Sequence, residues 1–168
     1  MTQNATRCIR TLTIDSDRGG DLHLDSAGGR VREVADLEAD SLIAPAQAPE
    51  TETGPFDITI TVRGHRLMWQ MRDRDGASVM PELGLSLRPY RRLIRDYFLM
   101  VESYEQARRE GAYHKLEAID AGRRGLHDEG AHYVQQRLGD KLVMDFETAR
   151  RLFALFAMLE SHPRNPGF

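Results

Sequence analysis

Phe56-Asp-Ile-Thr-Ile-Thr-Val62 alternates without a break, with Phe56, Ile58, Ile60 and Val62 on one side of an extended chain and small polar residues on the other. Strand side chains point to opposite faces with period two, so the stretch reads as a strand with one buried face. Arg63-Gly-His-Arg66 reads as a turn, and Leu67-Met-Trp-Gln-Met-Arg72 returns with Leu67, Trp69 and Met71 in register for the same face. Asp73-Arg-Asp-Gly76 makes a second turn, and Val79 to Leu87 a further strand interrupted at Pro81 and Gly84. Together these form an antiparallel meander.

Upstream, Cys8 to Asp15 is β-branched and alternates, so it reads as a first strand. Asp15 to Gly29, rich in Asp, Ser and Gly, reads as mostly loop, with a short extended piece at Leu22-His-Leu24. Arg30 to Ile43 spaces Val31, Val34, Leu37 and Leu42 as a short amphipathic helix. Ala44 to Pro55 has three prolines and no large apolar residue, and so reads as a flexible connection.

From Arg88 the apolar period changes from two to 3.6. Pro89 suits a first helical turn, and Tyr90, Leu93, Ile94, Tyr97, Val101 and Tyr104 form a stripe that ends near Gly111. A second helix spans Tyr113 to Leu138, and Gly139-Asp140 ends it. Asp145 is an N-cap for a third over Phe146 to Glu160, whose large apolar residues lie nearly all round it. Such a helix is central: it is either buried between the sheet and the other helices or lends one face to a second subunit in a homodimer. Ser161 to Phe168 reads as a disordered tail. The expected architecture is a single α+β domain over residues 1–160. It has an antiparallel sheet of about four strands, three C-terminal helices covering it, and one short N-terminal helix.

Four separated blocks carry a resemblance: Ser86 to Phe98, Glu102-Ser-Tyr104, Ala118 to Gly130 and Asp145 to Phe153. In this order they resemble the bacterial uncharacterised protein family numbered 0262, over roughly Phe56 to Leu159. The N-terminal third matches it loosely. The resemblance implies no activity, substrate or cofactor.

Composition narrows the function classes. A chain of 168 residues with Cys8 as its single cysteine needs no disulfide and offers no cysteine cluster. No window approaches the ~20 apolar residues of a membrane span and the start has no secretory pattern, which points to a cytoplasmic protein without membrane contact. Residues 1–87 carry nine arginines against fourteen acids, whereas residues 88–168 carry fourteen basic residues against twelve acids. The second half is therefore the expected place for an anionic partner.

Two charge constellations stand out. Arg88, Arg91, Arg92 and Arg95 form a stripe on the first turns of their helix, where positive charge opposes the macrodipole and an anion would relieve it. Asp96, Glu102 or acids of a neighbouring helix would also relieve it. In Asp120-Ala-Gly-Arg-Arg-Gly-Leu-His-Asp-Glu-Gly130, Asp120 can pair with Arg124, and Arg124 with Asp128. Here His127 is either a proton carrier oriented by Asp120, Asp128 or Glu129, with Arg123 or Arg124 on an anionic substrate, or part of a structural lattice. In the structural reading Gly122 and Gly130 bring another helix close over Leu126, and this reading needs fewer coincidences.

Metal and cofactor chemistry finds little support. Glu129-x-x-His132 lacks a second such pair, and His127 and His132 diverge by about 140° on a helix. There is no phosphate-binding glycine loop and no nucleophile elbow, and Cys8 reads as a core strand residue. Arg150 and Arg151 read as a solvated edge. The expectation is a non-enzymatic interaction or adaptor protein that needs no cofactor and holds an acidic protein partner through Arg88, Arg91, Arg92, Arg95, Arg123 and Arg124. A small enzyme built on His127 is the alternative, and RNA or ribosome association the lesser one, since a pI near 6.1 argues against a nucleic-acid surface.

Overall fold

The computed structural model describes residues 6–16, 24–47 and 54–160, with side chains from 16 and 24–31 left out of account. The meander is present. β3 (Phe56–Arg63) and β4 (Arg66–Arg72) pair antiparallel, with Ile58 opposite Met71, Ile60 opposite Trp69 and Val62 opposite Leu67. All six are buried, as the alternation requires. β5 (Leu83–Ser86) pairs with β4 and is shorter than expected, because Pro81 lacks a ladder donor and confines the preceding residues to one bridge, Arg72 to Ser78.

The first strand corrects the all-antiparallel expectation. β1 (Ile9–Ser16) pairs parallel with β3, so the four-stranded sheet, ordered β1-β3-β4-β5, is mixed. The reason is the helix between them: α1 (Leu24–Ala39) carries the chain back across the sheet, so β3 enters in the same direction as β1. Asp57 pins the pairing by accepting from Arg10 Nε at 2.9 Å and Thr11 Oγ1 at 2.7 Å, and the Arg10 bond holds its carboxyl below the usual range. The outer edge of β1 is satisfied by side chains. Leu12 N donates to Glu38 Oε1 at 2.7 Å and Ile9 N to Ser41 Oγ at 3.0 Å.

Three further expectations shift. α1 begins at Leu24 and runs through Gly28 and Gly29, because burial of its later turns, with Leu37 fully buried, outweighs the local glycine cost. The extended piece at residues 22–24 lies partly outside the described residues, and its described end, Leu24, is helical. Ile43, Ala44 and Pro45 are not helix end or connection but β2 (Ile43–Pro45), paired antiparallel with β6 (Leu142–Met144). Three-residue strands show too few alternations for a period to appear, and Pro45 is tolerated because this sheet has only edges. The remainder of the proline-rich segment, residues 48–53, and the tail at 161–168 lie outside the described residues.

The C-terminal helices follow the sequence closely. A 3₁₀ turn over Arg88–Tyr90 leads into α2 (Arg91–Arg109), and α3 (Tyr113–Leu138) and α4 (Phe146–Glu160) follow. Asp145 caps α4, its Oδ1 accepting from Thr148 N at 2.9 Å, while the buried Thr148 hydroxyl accepts from Leu42 N at 2.8 Å. Much of α4 is buried within the single chain. Leu152 to Ala157 are each at most 1% exposed within the single chain, and the helix packs against α1 and α3.

The glycines of α3 divide by what they touch. A Cβ on Gly130 would lie 2.3 Å from the Phe153 ring, so only glycine lets α4 come this close. Gly122 faces the flexible Met100 of α2 at 3.2 Å, and Gly125 faces open space. Gly122 and Gly130 thus serve two different helices instead of one seam. Gly130→Ala is expected to cost about 1–3 kcal/mol by overpacking, and Gly125→Ala to add roughly 0.5–1 kcal/mol of helix propensity, as read from urea midpoints.

Candidate functional site

The arginines singled out in the sequence separate into two groups. Arg92 and Arg95 share Asp96 at 4.0 and 3.5 Å, Arg123 and Arg124 share Asp120 at 2.7 and 3.3 Å, and Arg91 lies 3.9 Å from Glu160. One carboxylate between two guanidiniums offsets half their charge. Exposed pairs such as Arg92 and Asp96 contribute at most about 1 kcal/mol. Arg123 is the tightest: its Nε and Nη2 both donate to Asp120 Oδ1, which holds that carboxyl below its ordinary value.

Arg88 leaves this group. It turns toward a recess of about 780 Å³ at the open end of the β3–β4 hairpin, lined also by Arg63, Gly64, His65, Arg66, Gly84, Ser86 and Arg137. None of the lining residues is acidic. Among the described residues, Arg63, Arg66 and Arg88 have no carboxylate partner. Local bonds tie together the elements that place them. Gly64, at φ +61°, makes the two-residue hairpin turn, and Leu87 N donates to His65 O at 2.8 Å, tying the 3₁₀ turn to that hairpin. Arg137 projects from the last turn of α3, donates to the Tyr133 hydroxyl at 3.2 Å and sits 5.4 Å from that ring's centroid. Tyr133 in turn packs edge-on against the buried Tyr90. At the rim, His65 Nδ1 lies 2.9 Å from Glu160 Oε1, whose side chain is only 10% exposed.

Arg63 and Arg66 had registered in the sequence only as turn residues. Their signal was there in principle: two like charges flanking a two-residue turn fall directly opposite each other, an arrangement that costs stability.

His127 stands elsewhere. Its ring stacks on Tyr97 at 4.8 Å and meets Phe153 edge-on at 6.1 Å, and Nε2 is buried without a hydrogen-bond partner. Burial, then the nearby Arg150 and Arg123, depress its pKa to about 4. Asp120 is taken by the arginines, and Asp128 lies 3.1 Å from Arg150 Nε rather than on Arg124. Among the described residues no carboxylate is hydrogen-bonded to the imidazole. Glu129 lies with Arg92, Leu126 and Tyr133 along a shallow groove between α2 and α3. Arg150 and Arg151 are no solvated edge: Arg150 ties α4 to Asp128 of α3, and Arg151 ties it to Asp40 beyond α1. His132 packs on Phe146, and among the described residues no three metal-ligating side chains converge. Cys8 lies just before β1, half-buried, with its thiol pushed up by burial. No helix among the described residues is long and apolar enough to cross a membrane.

The model of the Uncharacterised protein family (UPF0262) matches residues 6–162, reaching well back into the N-terminal third. A UPF0262 protein of Nitrobacter winogradskyi is 46% identical over 151 residues, covering 90% of this chain and 88% of that protein. One of Rhodopseudomonas palustris strain BisA53 is 44% identical over 156 residues, covering 93% of each. No solved structure matches the chain significantly.

The depressed His127 pKa has a sign. The folded state disfavours the imidazolium, so between about 4 and the ordinary 6.5 the unfolded chain binds more protons. Its contribution to stability is complete above pH 6.5 and is lost as pH falls toward 4. His127→Phe is expected to flatten part of that slope in urea titrations at pH 4.5 and 7.5.

Proposed function

The chain belongs to the Uncharacterised protein family (UPF0262), and we propose that it is a non-enzymatic cytoplasmic binding protein that seats an anionic partner in the recess formed by Arg63, His65, Arg66, Arg88 and Arg137. The observation that carries this reading is the recess itself. Four arginines line it, from a hairpin, a 3₁₀ turn and a helix end, with no carboxylate among the lining residues. Guanidiniums present fixed forks of donors and stay charged at any physiological pH, so such a concave surface is suited to anions and to little else.

Relative to the acidic-partner surface expected from the sequence, the reading keeps the sign of the partner and moves its place. Arg91, Arg92, Arg95, Arg123 and Arg124 become a flank whose charge is half offset, and Arg88 alone passes to the binding surface. A hydrolytic or proton-transfer role for His127 is the weaker reading. A general base must reach the proton it removes, and here Nε2 is sealed against Phe153 and Tyr97 with cationic neighbours that keep it a poor base.

A ligand that binds only the folded state raises its stability in proportion to the logarithm of its concentration over Kd. At about a hundredfold excess over Kd, polyanions such as polyglutamate, heparin or tripolyphosphate are expected to raise Tm by several degrees. The rise should shrink with added salt and vanish in the Arg63→Gln, Arg66→Gln, Arg88→Gln triple variant. If no polyanion moves the melting temperature of the unsubstituted chain, the proposal fails.

A further inference from the structure

We propose that the group bound in this recess is an oligophosphate, at least two adjacent phosphoryl groups, carried by a small ligand. This rests on the anion-binding reading above and names the chemistry of its occupant.

Arg63 and Arg66 are the closing pair of the β3–β4 hairpin, and Ser86 is the next neighbour of Arg66 across β5. Directly opposed strand residues have Cβ atoms about 4.5–5.5 Å apart. The two arginines are thus anchored side by side at the end of the β3–β4 ladder. Arg66 Nη2 lies 3.0 Å from where a Gly84 Cβ would be, so the absence of a side chain at Gly84 leaves that guanidinium its place over the sheet. Arg88 and Arg137 close the recess from the helical side, Arg137 being held on the Tyr133 ring. Glu160, beside His65 at the rim, is engaged with His65 at 2.9 Å and Arg91 at 3.9 Å.

Four positive groups in about 780 Å³ demand a high density of negative charge. A carboxylate brings one charge on two oxygens, whereas a phosphoryl group brings up to two on three acceptor oxygens. Two linked phosphoryl groups therefore match the recess within one rigid unit. An acidic peptide would have to order several long side chains, each at an entropic cost, to deliver the same charge. The volume lies within the range of small-ligand sites. RNA is the poorer fit, because single strands are held largely by stacking on aromatic faces and no Phe, Tyr or Trp lines this recess.

Titration calorimetry on the full-length chain tests the assignment, with inorganic phosphate, pyrophosphate, tripolyphosphate, ATP, a glutamate-rich peptide of equal charge and a single-stranded RNA oligonucleotide. Saturable binding of pyrophosphate and tripolyphosphate, tighter than that of phosphate or the peptide, is the expected result. Comparison of ATP with tripolyphosphate then distinguishes a nucleotide from the free anion. Arg66→Gln and Arg88→Gln should each weaken tripolyphosphate roughly tenfold, while Lys115→Gln, exposed at the start of α3, should leave it unchanged. Arg63→Thr should weaken binding and yet raise the urea midpoint, since it removes a like-charge pair. A lowered midpoint with unchanged binding would make Arg63 structural and overturn the site. Equal or tighter binding of the peptide would overturn the phosphate assignment while leaving the anion reading intact, and RNA binding without tripolyphosphate binding would do the same. If none of these anions binds, both fall.

Discussion

The Phe153 ring lies against the backbone of α3 at Gly130, where a single added carbon would overlap it. Much of the helical layer depends on that contact. It lets α3 and α4 approach closely enough for Ala131 and Val134 on one side and Phe153, Phe156 and Ala157 on the other to be fully buried. With α4 so placed, its remaining faces meet α1 and the common core it shares with Trp69, Phe56 and Leu67 of the sheet. The glycine lowers the intrinsic propensity of α3, and the packing it permits offsets that loss many times over.

The same layer fixes the basic recess. Tyr90 is wholly buried beside Phe156 and Tyr133, and the 3₁₀ turn that holds Arg88 ends on it. Arg137 is one turn beyond Tyr133 on α3. On the sheet side, Leu67 and Val62 are buried directly next to Arg66 and Arg63, so the opposed arginines are carried by a hairpin whose inner face is strongly held. A repulsive pair is thus retained at the end of a strand pair stable enough to bear it.

The meander and α2 were legible because each shows several cycles of its period, and α3 and α4 because end signals bound them. Phe56 to Val62 gives three and a half alternations, and Tyr113 to Leu138 ends where a glycine and aspartate end it. What was not legible depends on partners distant in the chain. Alternation in Ile9 to Ser16 says that a strand is there but nothing about the direction of its neighbour, which α1 determines. β2 and β6 are too short to show a period. The family resemblance was readable in four blocks, yet the match extends to residue 6, into sequence whose loops had masked it. For the site, charge in the helices drew attention because it broke helix rules, whereas Arg63 and Arg66 look ordinary until the register sets them opposite each other. Conversely, Glu160 beside Arg91 and Asp128 beside Arg150 come from other helices and could not be assigned by spacing, unlike Glu147, three residues before Arg150.

The pairing of β2 with β6 bears on how the protein is made. Ile43 meets Met144 and Pro45 meets Leu142, partners about a hundred residues apart, and Leu42 N is satisfied only by the hydroxyl of Thr148. The Leu42 and Ala46 amides therefore meet their native acceptors, Thr148 Oγ1 and Lys141 O, only after that later sequence has been synthesised, whereas Ile43 N is met early by Arg7 O. At ribosomal rates of roughly 5–20 residues per second, the segment leaves the tunnel seconds before its partners do. Local hairpins and helices can form in that interval, but the core closes only once α4 has followed. Until then the nascent chain is an incomplete fold, and the segment from Leu142 to Glu160 decides whether Leu42 to Pro45 find their place.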